Sequence, residues 1–204
     1  MNGTRLFRQV GVLTAVCAAV LLAAPLWTEL RASDDQSTAA LKTTLAGAHR
    51  PEADRARDQH RHPLETLTWF GIKDNMTVVE VSPGGGWYTD ILAPFLKDRG
   101  MYYAAGFDPE SEVEYMRKGA QRFQEKLAAN AELFGKAKVT ILAPPTKVDI
   151  APAGSADMVL TFRNVHNWMA NGQAENVFKG MYTALKPGGV LGVVEHRANA
   201  NVPQ

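Results

Sequence analysis

The chain has 204 residues, 46% of them hydrophobic and 21% charged, with a formal net charge of +1. So even a balance leaves no electrostatic case for a nucleic-acid or anionic-membrane partner. Setting aside the first thirty-odd residues leaves roughly 170, the length of one domain with one core.

Arg5 and Arg8 precede an apolar stretch from Val10 to Trp27, broken only by Gly11, Thr14 and Pro25. A basic start followed by an apolar run is the layout of an export signal or of one short membrane span. Residues 1–32 are therefore expected to be a signal peptide or membrane anchor. The rest would lie in the periplasm, released or tethered to the inner membrane and facing outward. Cys17, the only cysteine, falls inside the apolar run, so the remainder has no thiol, disulfide or cysteine-based metal site.

Residues 33–49 are polar with small apolar residues and read as a linker with at most one weak helical turn. The domain is expected over 50–204. Arg50 to Gln59 has the composition of a charged helix, which His62-Pro63 interrupts, and Pro63 to Phe70 forms a second helix ending at Gly71. Thr77 to Val81 is a continuous β-branched run, the profile of a strand buried on both faces, and a glycine cluster separates it from a helix over Tyr88 to Leu96. Strands follow at Met101 to Phe107, Lys138 to Leu142, Ala156 to Phe162 and Val190 to Glu195. Helices are expected at Glu110 to Asn130 and at Gln173 to Leu185, the latter closed by Lys186-Pro187-Gly188-Gly189. Strands alternating with helices predict an α/β fold, a Rossmann-like parallel sheet with helices on both faces.

Glu80-Val81-Ser82-Pro83-Gly84-Gly85-Gly86 is the sharpest feature. Glycines between a buried strand and a helix let the backbone turn tightly and lie against a ligand at the carboxyl end of the sheet. Gly-x-Gly-x-x-Gly, the dinucleotide pattern, would need a third glycine where Thr89 stands, which disfavours a nicotinamide-dependent oxidoreductase. Asp108, about twenty residues on at the end of strand two, can accept both hydroxyls of a ribose, or can cap a helix. The segment resembles the first motif of class I S-adenosylmethionine-dependent methyltransferases, an acidic residue followed by glycines at alternate positions, here Glu80, Ser82, Gly84 and Gly86. Ser82 departs from the glycine usual there. Ala184 to Glu195 resembles the segment leading into strand five of the same superfamily. Arg57-Asp58-x-x-Arg61-His62-Pro63-x-Glu65-Thr66-Leu67 and Pro83 to Thr89 look like a bacterial group of exported methyltransferases.

That resemblance implies S-adenosyl-L-methionine as cofactor, held by Glu80, Ser82, Gly84, Gly85, Gly86 and Asp108, with Asn164 capping a helix or touching the cofactor. It implies methyl transfer to a small-molecule acceptor. His166-Asn167-Trp168 is similar to the His-x-Trp segment of small-molecule O-methyltransferases, which makes His166 the candidate general base; ordering of its loop is the other role open to it. Arg57 or Arg61 is a candidate for the cofactor carboxylate, or for a solvated face paired with Asp54 and Asp58. No spacing is diagnostic of a metal. A catalytically inactive nucleoside-binding or interaction module of the same fold is the alternative in function. Superfamily members continue past strand five with a helix and two antiparallel strands, which Arg197 to Gln204 cannot supply, so the fold is expected to be truncated after the fifth strand and to leave an apolar edge. Oligomeric state is unknown from the sequence.

Overall fold

The computed structural model describes residues 34–197 and residue 201, so the signal or anchor expected at 1–32 lies outside the described residues. Contacts divide the chain between Ala39 and Ala40, and the unit from Ala40 onward carries the fold.

Five parallel strands form one sheet: β1 (Thr77–Val81), β2 (Met101–Gly106), β3 (Lys138–Ile141), β4 (Ala156–Phe162) and β5 (Leu185–Val194), in the order β3-β2-β1-β4-β5. Before the sheet, after helical residues 34–45, come three short helices, α1 (Glu52–Arg55), α2 (Asp58–Arg61) and α3 (Pro63–Trp69). Between and after the strands run α4 (Thr89–Leu96), α5 (Glu114–Ala129), α6 (Ala131–Phe134), α7 (Val165–Ala170) and α8 (Ala174–Ala184).

Alternation along the central strands explains the two layers of core. Val78 of β1 and Met158 and Leu160 of β4 pack with Ile91 and Leu92 of α4, Phe123 of α5 and Leu67 of α3. Their neighbours in sequence, Val79, Val81 and Val159, point to the other face and pack with Trp168 of α7 and Val177 and Met181 of α8. A strand covered on both sides must be apolar almost throughout, which is what the run Thr77 to Val81 encodes. Glu80 is the exception within it.

Several boundaries depart from expectation. Residues 34–45, read as a linker, are helical, and Leu41 is buried in the first core layer, so packed structure begins before residue 50. The charged helix of Arg50 to Gln59 is two single turns, α1 and α2, with Ala56 and Arg57 between them. Pro63 does open a helix, behind a left-handed His62 (φ 46°), and Gly71 (φ +80°) follows its end. Helix α5 starts at Glu114 rather than Glu110, because Asp108 accepts from the Glu110 N–H and holds a turn there. β2 and β3 each end one residue early, at Gly106 and Ile141. β5 starts at Leu185, paired with Ala156, and Lys186 to Gly189 bulge before pairing resumes at Val190 opposite Met158. Val190, Leu191 and Val193 are partly exposed on this strand, which is an edge of the described sheet.

Candidate functional site

The order in which strands are added across the sheet reverses at β1, since β2 and β3 lie to one side and β4 and β5 to the other. At such a switch point the loops leaving β1 and β4 diverge and open a crevice at the carboxyl ends of the strands. Ser82 to Gly86 leave β1 there, and Arg163 and Asn164 leave β4.

The glycine loop is shaped by three left-handed residues, Ser82 (φ 57°), Gly84 (φ +59°) and Gly86 (φ +80°). Ser82 thus adopts a conformation that favours glycine, and its N–H donates to the Ala105 carbonyl at 2.9 Å. A Cβ built on Gly84, Gly85 or Gly106 would meet no atom within 4 Å, so these backbones face open space. Gly86 differs: a Cβ there would sit 2.9 Å from the Lys126 side chain and 3.3 Å from Phe123, so this glycine lets α5 approach the loop.

Three cavities share Ser82 and Gly84. The largest, about 570 Å³, also takes in Phe107 and Asp108 from the end of β2, Leu142 and Ala143 after β3, and Asn164 and Trp168 after β4. A second, about 300 Å³, lies across the loop and is lined by Glu80, Arg57, Arg61, Arg163 and the aromatic rings of Tyr88 and Phe162. An apolar recess of about 170 Å³ runs beneath, against Gly106 and Gly119.

Asp108 is largely buried and lines the same cavity as Ser82 and Gly84 of the glycine loop. The Lys147 ammonium bonds to Oδ2 and the Glu110 N–H to Oδ1, and together they hold this carboxyl below the usual carboxylate range. It is therefore an ionised acceptor at the edge of the space the glycines leave open. Lys147, in the loop after β3, carried no sequence signal because only the fold brings it to Asp108.

Glu80 faces two ways. It lines the smaller cavity, yet its Oε2 accepts from the Tyr102 hydroxyl at 2.5 Å and from the Thr89 hydroxyl at 3.0 Å. Burial pushes its carboxyl up to about 7 against the opposing pull of those two bonds. Asn164 precedes α7 without a side-chain cap; its amide instead donates to the carbonyls of Val81 at 3.3 Å and Ser82 at 3.4 Å, tying the end of β4 to the glycine loop.

His166 stands in the first turn of α7, and the structure does not bring it into any of the three cavities, although Asn164, Asn167 and Trp168 around it line the largest. Its ring is half exposed, and Nδ1 lies 3.0 Å from Oε2 of Glu195, just past β5. Partial burial pushes the Glu195 carboxyl up, but bonds from His166 and from the N–H groups of Val165 and His196 hold it below its ordinary range. With Nδ1–H donating to this carboxylate, Nε2 is the ring's free acceptor. Sequence reasoning placed Glu195 only as a strand end.

Arg57 and Arg61 both line the smaller cavity and pair with neither Asp54 nor Asp58. Asp58 instead binds the fully buried Arg50 through both oxygens, at 2.7 and 2.8 Å. Arg61 lies over the Trp87 ring, 4.5 Å from its centroid. Trp87 and Tyr88 are core residues, as aromatics opening a helix are expected to be, and Tyr88 stacks on Phe162 at 3.4 Å while also walling the cavity.

No protein-family model and no curated protein matches the chain. Solved structures do. A SAM dependent methyltransferase from Aquifex aeolicus is 19% identical with a TM-score of 0.56, the alignment covering 72% of each chain. The YcgJ protein from Bacillus subtilis is 12% identical with a TM-score of 0.50, over 70% of this chain and 53% of that one. This likeness establishes the fold: the parallel sheet with its surrounding helices is of the Rossmann-like methyltransferase type.

Proposed function

We propose that the chain is an S-adenosyl-L-methionine-dependent methyltransferase acting on a small-molecule acceptor. The observation that carries this reading is the joint placement of Ser82 and Gly84 of the glycine loop and of Asp108 on one cavity of nucleoside size. Gly84 faces open space on this cavity, and the ionised carboxylate of Asp108 on the same cavity suits the paired hydroxyls of a ribose. Likeness to the Aquifex methyltransferase in fold supports the same reading. A dinucleotide fits less well: Thr89 occupies the position of the third glycine, is fully buried, and spends its hydroxyl on Glu80.

In this reading Ser82, Gly84 and Asp108 would hold the nucleoside, Gly85 lies on the arginine-lined side of the loop, Gly86 and Asn164 shape the loop, and Glu80 ties β1 to Tyr102 and Thr89. The cofactor, when bound there, would supply an electrophilic methyl group on its sulfonium. His166, exposed beside Asn164 and Asn167 at the rim of the largest cavity rather than within it, is in this reading the group whose Nε2 takes the proton of an acceptor reaching that rim, with Glu195 fixing the ring through Nδ1. Titration of the purified chain with S-adenosylhomocysteine tests the reading, micromolar binding being expected and no binding by a folded protein being the contrary result. His166→Ala is expected to leave that affinity within about threefold while lowering turnover by at least about 100-fold. Undiminished turnover would remove His166 from the chemistry.

A further inference from the structure

The smaller cavity is more cationic than a cofactor alone requires. Arg57, the residue before α2, Arg61, its last residue, and Arg163, just past β4, all line it. Among the described residues none of the three makes an ion pair, whereas Arg50 and Arg99 each have an aspartate. Arg61 is pushed down from its ordinary range by burial first and then by the neighbouring guanidiniums of Arg163 and Arg57, which Tyr88 and Asp54 only partly offset. Asp54 is the other charged residue at the rim, and Glu80 is committed to Tyr102 and Thr89. Arg163 is moreover held in a left-handed conformation (φ 61°), its N–H donating to the Val194 carbonyl at 2.7 Å. Backbone strain of that kind persists where the surrounding structure fixes a side chain in place.

S-adenosylmethionine does not balance this charge. Its sulfonium and ammonium carry two positive charges and its carboxylate one negative, so it enters with a net charge of about +1. Even with its carboxylate on one guanidinium, two arginines remain on a cavity walled by Tyr88 and Phe162. Guanidiniums in such a setting are suited to planar oxyanions, which they bind through paired hydrogen bonds.

Resting on the methyl-transfer reading, we infer that the acceptor is an anionic small molecule bearing a carboxylate or phosphate group, held by Arg57, Arg61 and Arg163 beside the aromatic wall. The anionic group orients the acceptor and offsets the positive charge that the cofactor brings. Arg57 and Arg163 are exposed, so their replacement leaves the core intact.

The test is calorimetric titration of inorganic phosphate and of succinate into the full chain, once saturated with S-adenosylhomocysteine and once without it. The same titrations are run on the Arg57→Gln/Arg163→Gln double variant, and on Arg122→Gln as a single charge removed from the exposed face of α5. Binding of either anion, weakened at least tenfold in the double variant and less than twofold in Arg122→Gln, supports the inference, and the tighter of the two names the oxyanion. Equal anion affinity in all three proteins overturns it. A double variant that loses S-adenosylhomocysteine but keeps the anion also overturns it, assigning the arginines to the cofactor. Should S-adenosylhomocysteine fail to bind while the anions bind in an arginine-dependent way, the methyl-transfer reading fails and the anion site alone stands.

Discussion

Ser82 shows how a single residue can depart from a pattern while the backbone keeps it. At φ 57° a serine sits where glycine is favoured, and its amide still closes the turn onto Ala105. Left-handed backbone costs a non-glycine residue roughly 1–2 kcal/mol, and glycine returns about 0.5–1 kcal/mol of that as unfolded-chain entropy. Ser82→Gly is therefore expected to stabilise the protein by roughly 0.5–1 kcal/mol in chemical denaturation, with S-adenosylhomocysteine affinity little changed; a destabilised variant would mean that the hydroxyl makes a needed contact. Glu80 makes a pH-dependent prediction. Its folded value of about 7 lies above an unfolded carboxyl near 4.3, so the folded state holds the proton more tightly. Its contribution is full below about pH 4 and declines as pH rises toward 7, by an amount on the order of 3 kcal/mol. Glu80→Gln, whose amide oxygen can accept from Tyr102 and Thr89, should flatten that decline between pH 5 and 7, measured by urea denaturation. Equal pH slopes in the two proteins would show that Glu80 is ionised throughout. At this scale the glycine cluster and Asp108 were legible because both are local signals at expected separations. Lys147, Arg163 and Glu195 were not, since nothing near them in sequence says what the fold sets beside them.

Elements formed by strong local patterns were read to the residue. β1 and β4 begin and end where their apolar runs do, α4 starts one residue late, and α8 is one residue shorter at each end. Misreadings fall where tertiary contact overrides composition. The Pro-Gly stretch before the fifth strand reads as a turn, but Leu185 already pairs with Ala156, so it is a bulge within β5. Helix α7 has six residues led by a β-branched Val165, too little for a periodic signal, and it forms with its first N–H bound by Glu195 at 2.6 Å. The arginine-rich segment shows the same effect. Arg50 looks like one more surface charge, yet it is buried against Asp58 and the Leu45 carbonyl and lies 5.2 Å from the Trp87 ring centroid, fastening the segment before α1 to the base of α2. Breaking a buried pair leaves an unmatched charge, and Asp58 is partly solvated, so Arg50→Met should cost roughly 2–3 kcal/mol. An unchanged denaturation midpoint would show the pair to be neutral in balance.

Across the whole molecule, the strand order brings the loops after β1, β2 and β4 to one edge, and function follows from that convergence more than from any one residue. Ser82 and Asn164 are hydrogen-bonded across the β1/β4 opening, and Asp108 faces them from the end of β2. The alternation of strands and helices made this architecture legible in the sequence, and the solved structures of the same fold agree with it. The division of the site into a larger cavity lined by Asp108 and a smaller, arginine-lined one was not legible, because it depends on how α1 and α2 lie against the glycine loop. The most direct test of the account is calorimetric titration of S-adenosylhomocysteine into the wild-type chain and into Asp108→Ala. Micromolar binding that weakens at least about 30-fold in the variant, the loss of about two charge-assisted hydrogen bonds, is the predicted result. Equal affinity in the two folded proteins would contradict it, because the nucleoside would then lie somewhere other than between Asp108 and the glycine loop.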